Sequence, residues 1–242
     1  MNVRGETNLY GYTVGILVNE MYFPRLPGAI GNATTFPFPV LQKPVPGASS
    51  ERVVREPDHG ALQAAYIEAA RELVRIGAKA ITTSCGFAAM FQREMADALD
   101  VPVFASSLLL VPLMARMLST HLRVGVVTAD SRCITERHYQ GAGIDPERVV
   151  LAGMEGQQEF EAVVFGGQHE LNVERMQDEV VGVARRLVAA HPEVRALLLE
   201  CSLLPPFARA VQEATMLPVF DFTTLVTMVH SALVRRTFQG YL

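Results

Sequence analysis

Lysine is almost missing from this chain: Lys43 and Lys79 are the two in 242 residues. Pyridoxal phosphate chemistry needs a Schiff-base lysine, so a shortage of candidates counts against it. There is no Lys/Arg run or basic stripe, and the formal net charge is −4, which argues against a nucleic-acid partner. No apolar stretch reaches the roughly 18 residues of a membrane span. The opening residues, Met1-Asn2-Val3-Arg4-Gly5-Glu6, lead into no apolar h-region, so no signal peptide is expected. There are three cysteines, Cys85, Cys133 and Cys201, an odd number with no CxxC among them. In a chain of this size that argues against a disulfide framework and for a reducing, cytoplasmic compartment. Neither HExxH nor CxxC spacing is present, so no metal site is expected.

Half of the residues are apolar and 19% are charged, the balance of a globular protein with a sizeable core. Apolar, β-rich runs at 12–18, 78–83, 101–104, 122–128, 149–151, 196–199 and 217–220 alternate with helical patterns at about 60–76, 88–99, 107–119, 131–140, 173–190, 205–214 and 223–238. In the first helical pattern Leu62, Ala65, Ala69, Leu73 and Ile76 share a face, and Gly77 is placed to close it. Such alternation predicts an α/β protein with mainly parallel sheets flanked by helices. A Pro-, Gly- and aromatic-rich stretch at 20–57 is long for a plain connection and is expected to be a functional loop or flap. The region 153–170 fits no pattern well.

The chain also repeats itself. Shifted by 116 residues, Cys85 falls on Cys201, Phe91 on Phe207, Arg93 on Arg209, Ala98 on Ala214, and Pro102-Val103-Phe104 on Pro218-Val219-Phe220. These are seven identities in twenty ungapped positions, and they predict two similar α/β halves. Each repeated cysteine is expected just beyond the C-terminal end of a strand, the edge at which open α/β sheets bind ligands. A following helix N-terminus would favour thiolate and attract a substrate carboxylate. One cysteine at a strand end is usually inert packing; two at equivalent ends point to function. Cys133 has no repeat partner and reads as a small buried side chain on a helix.

Thr82-Thr83-Ser84-Cys85-Gly86-Phe87, Val124-Gly125-Val126-Val127-Thr128 and Leu199-Glu200-Cys201-Ser202 with Pro205-Pro206 resemble the aspartate/glutamate racemase superfamily, which includes hydantoin racemases, maleate isomerases and arylmalonate decarboxylases. The resemblance implies two pseudo-twofold-related domains with the site in the cleft between them. The last helix would cross back to the first, giving 1–104 plus 222–242 as one half and 105–221 as the other. It further implies a cofactor-independent racemase or epimerase of a small carboxylate substrate, an acidic amino acid or hydantoin, in which Cys85 and Cys201 transfer protons at opposite faces. No cofactor or metal is required, and a homodimer is expected. Gly86, Phe87, Ser202 and Leu203 can offer backbone amides to a developing enediolate, and Ser84, Ser202 and Thr128 can offer hydroxyls.

This chain departs from the family pattern at the residues that set the substrate. Amino-acid racemases commonly read Cys-Asn-Thr at the first cysteine, where Cys85-Gly86-Phe87 stands here, and the Asp-Ser pair after the first strand is replaced by Val18-Asn19-Glu20. Glu200 can bind an ammonium group or tune Cys201, or it can be a solvated strand-end carboxylate. Arg25 can clamp a substrate carboxylate or face solvent. Asn19 is a further ligand candidate. Asp221 reads as a helix cap and His230 as a packed or surface histidine. Maleate isomerisation, decarboxylation and non-catalytic binding of a small molecule are the alternative functions.

Overall fold

Val14–Asn19 is apolar on both faces and almost wholly buried, as a strand must be when helices cover both sides of its sheet. It forms β1 at the centre of the first of two sheets in the computed structural model, which describes residues 7, 9–56, 59–238 and 240. The N-terminal stretch at 1–6 and the Pro57 end of the long connection lie outside the described residues. With β2 (Val40–Val45), β3 (Ala80–Thr83) and β4 (Val103–Phe104), β1 makes a parallel sheet of order β2-β1-β3-β4. The second sheet uses β5 (Arg123–Thr128), β6 (Val149–Gly153), β7 (Val194–Leu199) and β8 (Val219–Phe220) in the corresponding order β6-β5-β7-β8, again parallel.

The repeat is visible in the strand register. Ile81 pairs with Val103 and Leu197 with Val219, so the offset of 116 found in the sequence holds at both positions. Ser84 and Glu200, each one residue beyond its strand, donate their backbone N–H to Leu17 O and Val127 O at 2.7 and 2.8 Å. Ser84 and Glu200 therefore hold equivalent places, as do Cys85 and Cys201, Gly86 and Ser202, and Phe87 and Leu203.

The apolar core belongs to both halves. One cluster joins Val14, Ile16 and Ala80 of the first sheet to Val124, Val126 and Leu198 of the second, together with Phe222, Leu225 and Val226 of the last helix, Phe222–Leu233. That helix begins at Asp221, whose carboxylate accepts the Thr224 N–H as an N-cap at 3.0 Å. His230, on the same helix, stacks on Phe38 with ring centroids 3.5 Å apart.

Several elements differ from the sequence reading. The stretch at 20–57 is not one loop. It contains β2 and the short helix Ser50–Val54. β2 is an edge strand, so it tolerates Pro44, the kind of residue that obscures a strand in a pattern search. Ser50–Val54 is too short to show a period. The unassigned region 153–170 holds the helix Gln158–Val164. Helix Gly60–Arg75 buries Tyr66 on its inner face, whereas Ile76 lies just past its end and is exposed.

Candidate functional site

The two cysteines reach their places by the same local route. β3 and β7 each end in a sharp exit, after which the chain turns into a short 3₁₀ segment. Cys85 and Cys201 line one small cavity between the halves, with Ser84, Gly86, Phe87, Glu200, Ser202 and Leu203 around them. Its free volume is about 20 Å³, room for roughly one water. Admitting a substrate therefore requires the lip to part. That lip is made by Met21, Ser50 and Val54 from one half and Val164 from the other.

The thiols are not poised as thiolates. Burial first, then the nearby Glu200 carboxyl, pushes Cys85 up to about 12, against the amides of Phe87 and Ala88 and the Asn19 side chain, which favour the anion. Burial and then Glu200 likewise hold Cys201 well above its ordinary value, opposed by the Leu203 amide. This corrects the expectation of lowered thiol pKa values. Each cysteine is followed by a 3₁₀ turn, not a long helix, and the three donors at Cys85 and the one at Cys201 do not offset desolvation.

Glu200 is not the solvated carboxylate allowed for by the sequence. It is fully buried. Its Oε2 accepts the Thr128 hydroxyl at 2.7 Å and the Ala129 N–H at 3.3 Å, while Oε1 has no hydrogen-bond partner. Burial raises it to about 7 in spite of those two donors. A β-carbon on Gly86 would collide with Oε1, so the bare Gly86 is what gives the carboxyl its space.

Other candidates take supporting places. Thr128 holds Glu200 and does not itself line the cavity. Ser84 Oγ accepts the Asn19 N–H at 2.9 Å, and Ser202 Oγ donates to Ser84 O at 2.6 Å, tying the two halves together beneath the thiols. Asn19 lies behind Cys85, its Oδ1 bonded to the buried Tyr66 hydroxyl. Arg25 neither faces solvent freely nor reaches the cavity. It is partly buried and donates to Asn19 O at 2.9 Å, which braces the loop. Cys133 is half-buried, on a 3₁₀ turn in a separate groove.

Tyr66 and the lip residues escape a sequence reading because nothing distinguishes them from ordinary core positions. The same is true of an ion cluster beside the lip. There, Asp130 is buried between Arg55 and Arg132, at 3.3 and 2.7 Å, and Arg55 also reaches Glu161 at 2.9 Å across the halves. The Arg55 guanidinium lies over the Phe165 ring, 3.6 Å from its centroid. Among the described residues no group of three His, Cys, Asp or Glu side chains is arranged to hold a metal. No described helix is long and apolar enough to cross a membrane.

Two comparisons place this architecture. The structure resembles an allantoin racemase from Pseudomonas fluorescens, with a TM-score of 0.61 at 16% identity over 92% of this chain and 91% of that one. It resembles unliganded arylmalonate decarboxylase at 0.57 and 18%, over 95% and 97%. Twin parallel sheets meeting at paired strand ends are the fold of Asp/Glu/hydantoin racemase-like proteins. In sequence the chain is 31% identical to a dimethylsulfoniopropionate lyase of Durusdinium sp. clade D, over 89% of this chain and 73% of that protein. It is 29% identical to dimethylsulfoniopropionate lyase 7 of Emiliania huxleyi (strain CCMP1516), over 88% and 64%. The chain thus belongs to the dimethylsulfoniopropionate lyase family, and its fold is that of the Asp/Glu/hydantoin racemase-like proteins. It spans less than two thirds of the Emiliania relative. No family profile matches it.

Proposed function

We propose that this protein is a cofactor-independent lyase acting on a small carboxylate with a leaving group on its β-carbon, dimethylsulfoniopropionate being the substrate to test first. What carries the reading is the pair Cys85 and Cys201 on one small cavity, in a chain 31% identical to a lyase of that name.

The chemistry begins as a racemase's does. One thiol, ionised when substrate is bound, takes the proton from the carbon next to the carboxylate and becomes S–H. Backbone amides at Phe87 and Leu203 and a small, closed cavity favour the developing enediolate. In a racemase the opposing thiol would return a proton. With a sulfonium on the β-carbon, the electron pair instead forms the C=C bond, and the C–S bond breaks. Dimethyl sulfide leaves with the bonding pair, acrylate remains, and the abstracted proton is released later. The opposing thiol completes the cavity wall. The sequence reading places racemisation first, with isomerase and decarboxylase chemistry beside it; elimination shares the proton abstraction of racemisation and fits the named relatives better.

The test is purified protein with dimethylsulfoniopropionate, following dimethyl sulfide and acrylate. Of Cys85→Ser and Cys201→Ser, the variant that removes the base is expected to lose turnover and the other to keep part of it. Absence of either product, together with deuterium uptake and loss of optical activity in an acidic amino acid or a hydantoin, would establish the second reading, racemisation, which the paired thiols also favour. A homodimer is proposed on the family pattern, to be checked by light scattering.

A further inference from the structure

A small cavity lined by two thiols has no evident use for a carboxyl group, yet Glu200 is built into its wall. The carboxyl is fully buried, and one oxygen is anchored by Thr128 and Ala129. The other, Oε1, faces the space above Gly86 with no partner. An unsatisfied buried carboxylate oxygen is costly, and it persists where something else supplies its partner. The repeat sharpens the point. The equivalent residue in the other half is Ser84, so the carboxyl is a feature of one half alone.

The approach to the cavity has the same character. An outer hollow of about 260 Å³ shares Met21, Ser50 and Val164 with the inner one. Its wall carries the carboxylates of Glu20 and Glu51 and the ring of Tyr22, with His169 nearby; Glu51 also meets Arg55 at 3.7 Å, and Arg55 and Arg25 already lie over the Phe165 and Phe23 rings. Acidic and aromatic groups together favour cations over anions.

We propose that Glu200 is the specificity-determining residue for a positively charged substituent on the substrate, its free Oε1 supplying the counter-charge. The site would then select zwitterionic carboxylates that carry a sulfonium or quaternary ammonium group over carboxylates of the same shape whose substituent is uncharged. The inference rests on the reading of this cavity as the substrate site, and it concerns binding, not the fate of the bond that breaks.

The experiment compares two probes that differ in charge and little else, 3-(trimethylammonio)propanoate and 4,4-dimethylpentanoate. Binding of each is measured by calorimetry to the wild-type protein, Glu200→Gln and Glu200→Asp. The wild type is expected to prefer the ammonium probe by about tenfold or more, the scale of one charge-assisted contact. Glu200→Gln, which keeps the shape and can still accept from Thr128, should lose that preference, weakening the ammonium probe much more than the tert-butyl one. Glu200→Asp should retain part of it. Equal binding of both probes by the wild type, or an undiminished preference in Glu200→Gln, overturns the proposal. The wild-type comparison needs no variant to fold. If the charge preference is present but dimethylsulfoniopropionate is not cleaved, the lyase reading falls and the assignment of Glu200 stands.

Discussion

Replacing Glu200 by glutamine should change how the protein's stability depends on pH, in a direction and amount that follow from its burial. In the folded chain the carboxyl ionises near 7; its ordinary value is 4.5. Below pH 4.5 it is protonated in the folded and unfolded chains alike, and its contribution to stability is fully present. As pH rises through 4.5 the unfolded chain gives up this proton and the folded chain keeps it, so unfolding becomes progressively easier until the folded group ionises near pH 7. The span from 4.5 to about 7, at about 1.4 kcal/mol per pH unit, amounts to about 3 kcal/mol. The amide introduced by Glu200→Gln does not titrate, so the variant should gain about that much on the wild type across this window and then hold level. Urea unfolding at intervals from pH 4.5 to 8, with all other titrations common to both proteins, isolates the difference. Parallel curves, or a wild type that gains on the variant as pH rises, would refute the assignment of a buried, raised carboxyl.

Iodoacetamide should label Cys85 slowly at neutral pH, with a rate still climbing above pH 9, since burial and Glu200 keep the thiol protonated up to about 12; a plateau near pH 7 would contradict this. Gly86→Ala should cost about 1–3 kcal/mol by overpacking against Glu200, and the loss should shrink when Glu200→Ala is added, which a double-mutant cycle by denaturant unfolding measures. Arg55→Met should cost about 1–2 kcal/mol, less than a buried pair that loses its sole partner, because Arg132 still faces Asp130; thermal unfolding reads it out.

The parts of the fold that are legible in the sequence are those with strong local patterns. Val173–Ala190 shows five turns of amphipathic helix and is found where the periodicity puts it. The buried strands β1, β3, β5 and β7 stand out as β-rich runs, and the 116-residue repeat aligns the second pair of strands in each sheet. β2 is hidden because an edge strand with Lys43 and Pro44 has neither the apolar run nor the alternation of a central one. At the site, the repeat is enough to bring Cys85 and Cys201 to one cavity. It cannot show that Glu200 is buried, since that depends on Gly86, 114 positions earlier in the chain, leaving room for it. Nor can it show that Arg25 turns back onto the Asn19 carbonyl, a contact set by the path of the loop and not by residue type. The thiol acidities are misjudged for a related reason: helix termini can be located in sequence, but the desolvation that outweighs them is a property of the assembled halves.

The mismatch between Ser84 and Glu200 at otherwise matched strand ends has a bearing on direction. A catalyst that interconverts mirror images passes through a carbanion that either flank must be able to reprotonate, and near-identical flanks serve that balance. Here one strand end carries a hydroxyl and the other a buried carboxyl, so the two flanks of the cavity are chemically distinct. Such a lopsided chamber suits a reaction that runs one way and ends when a fragment departs.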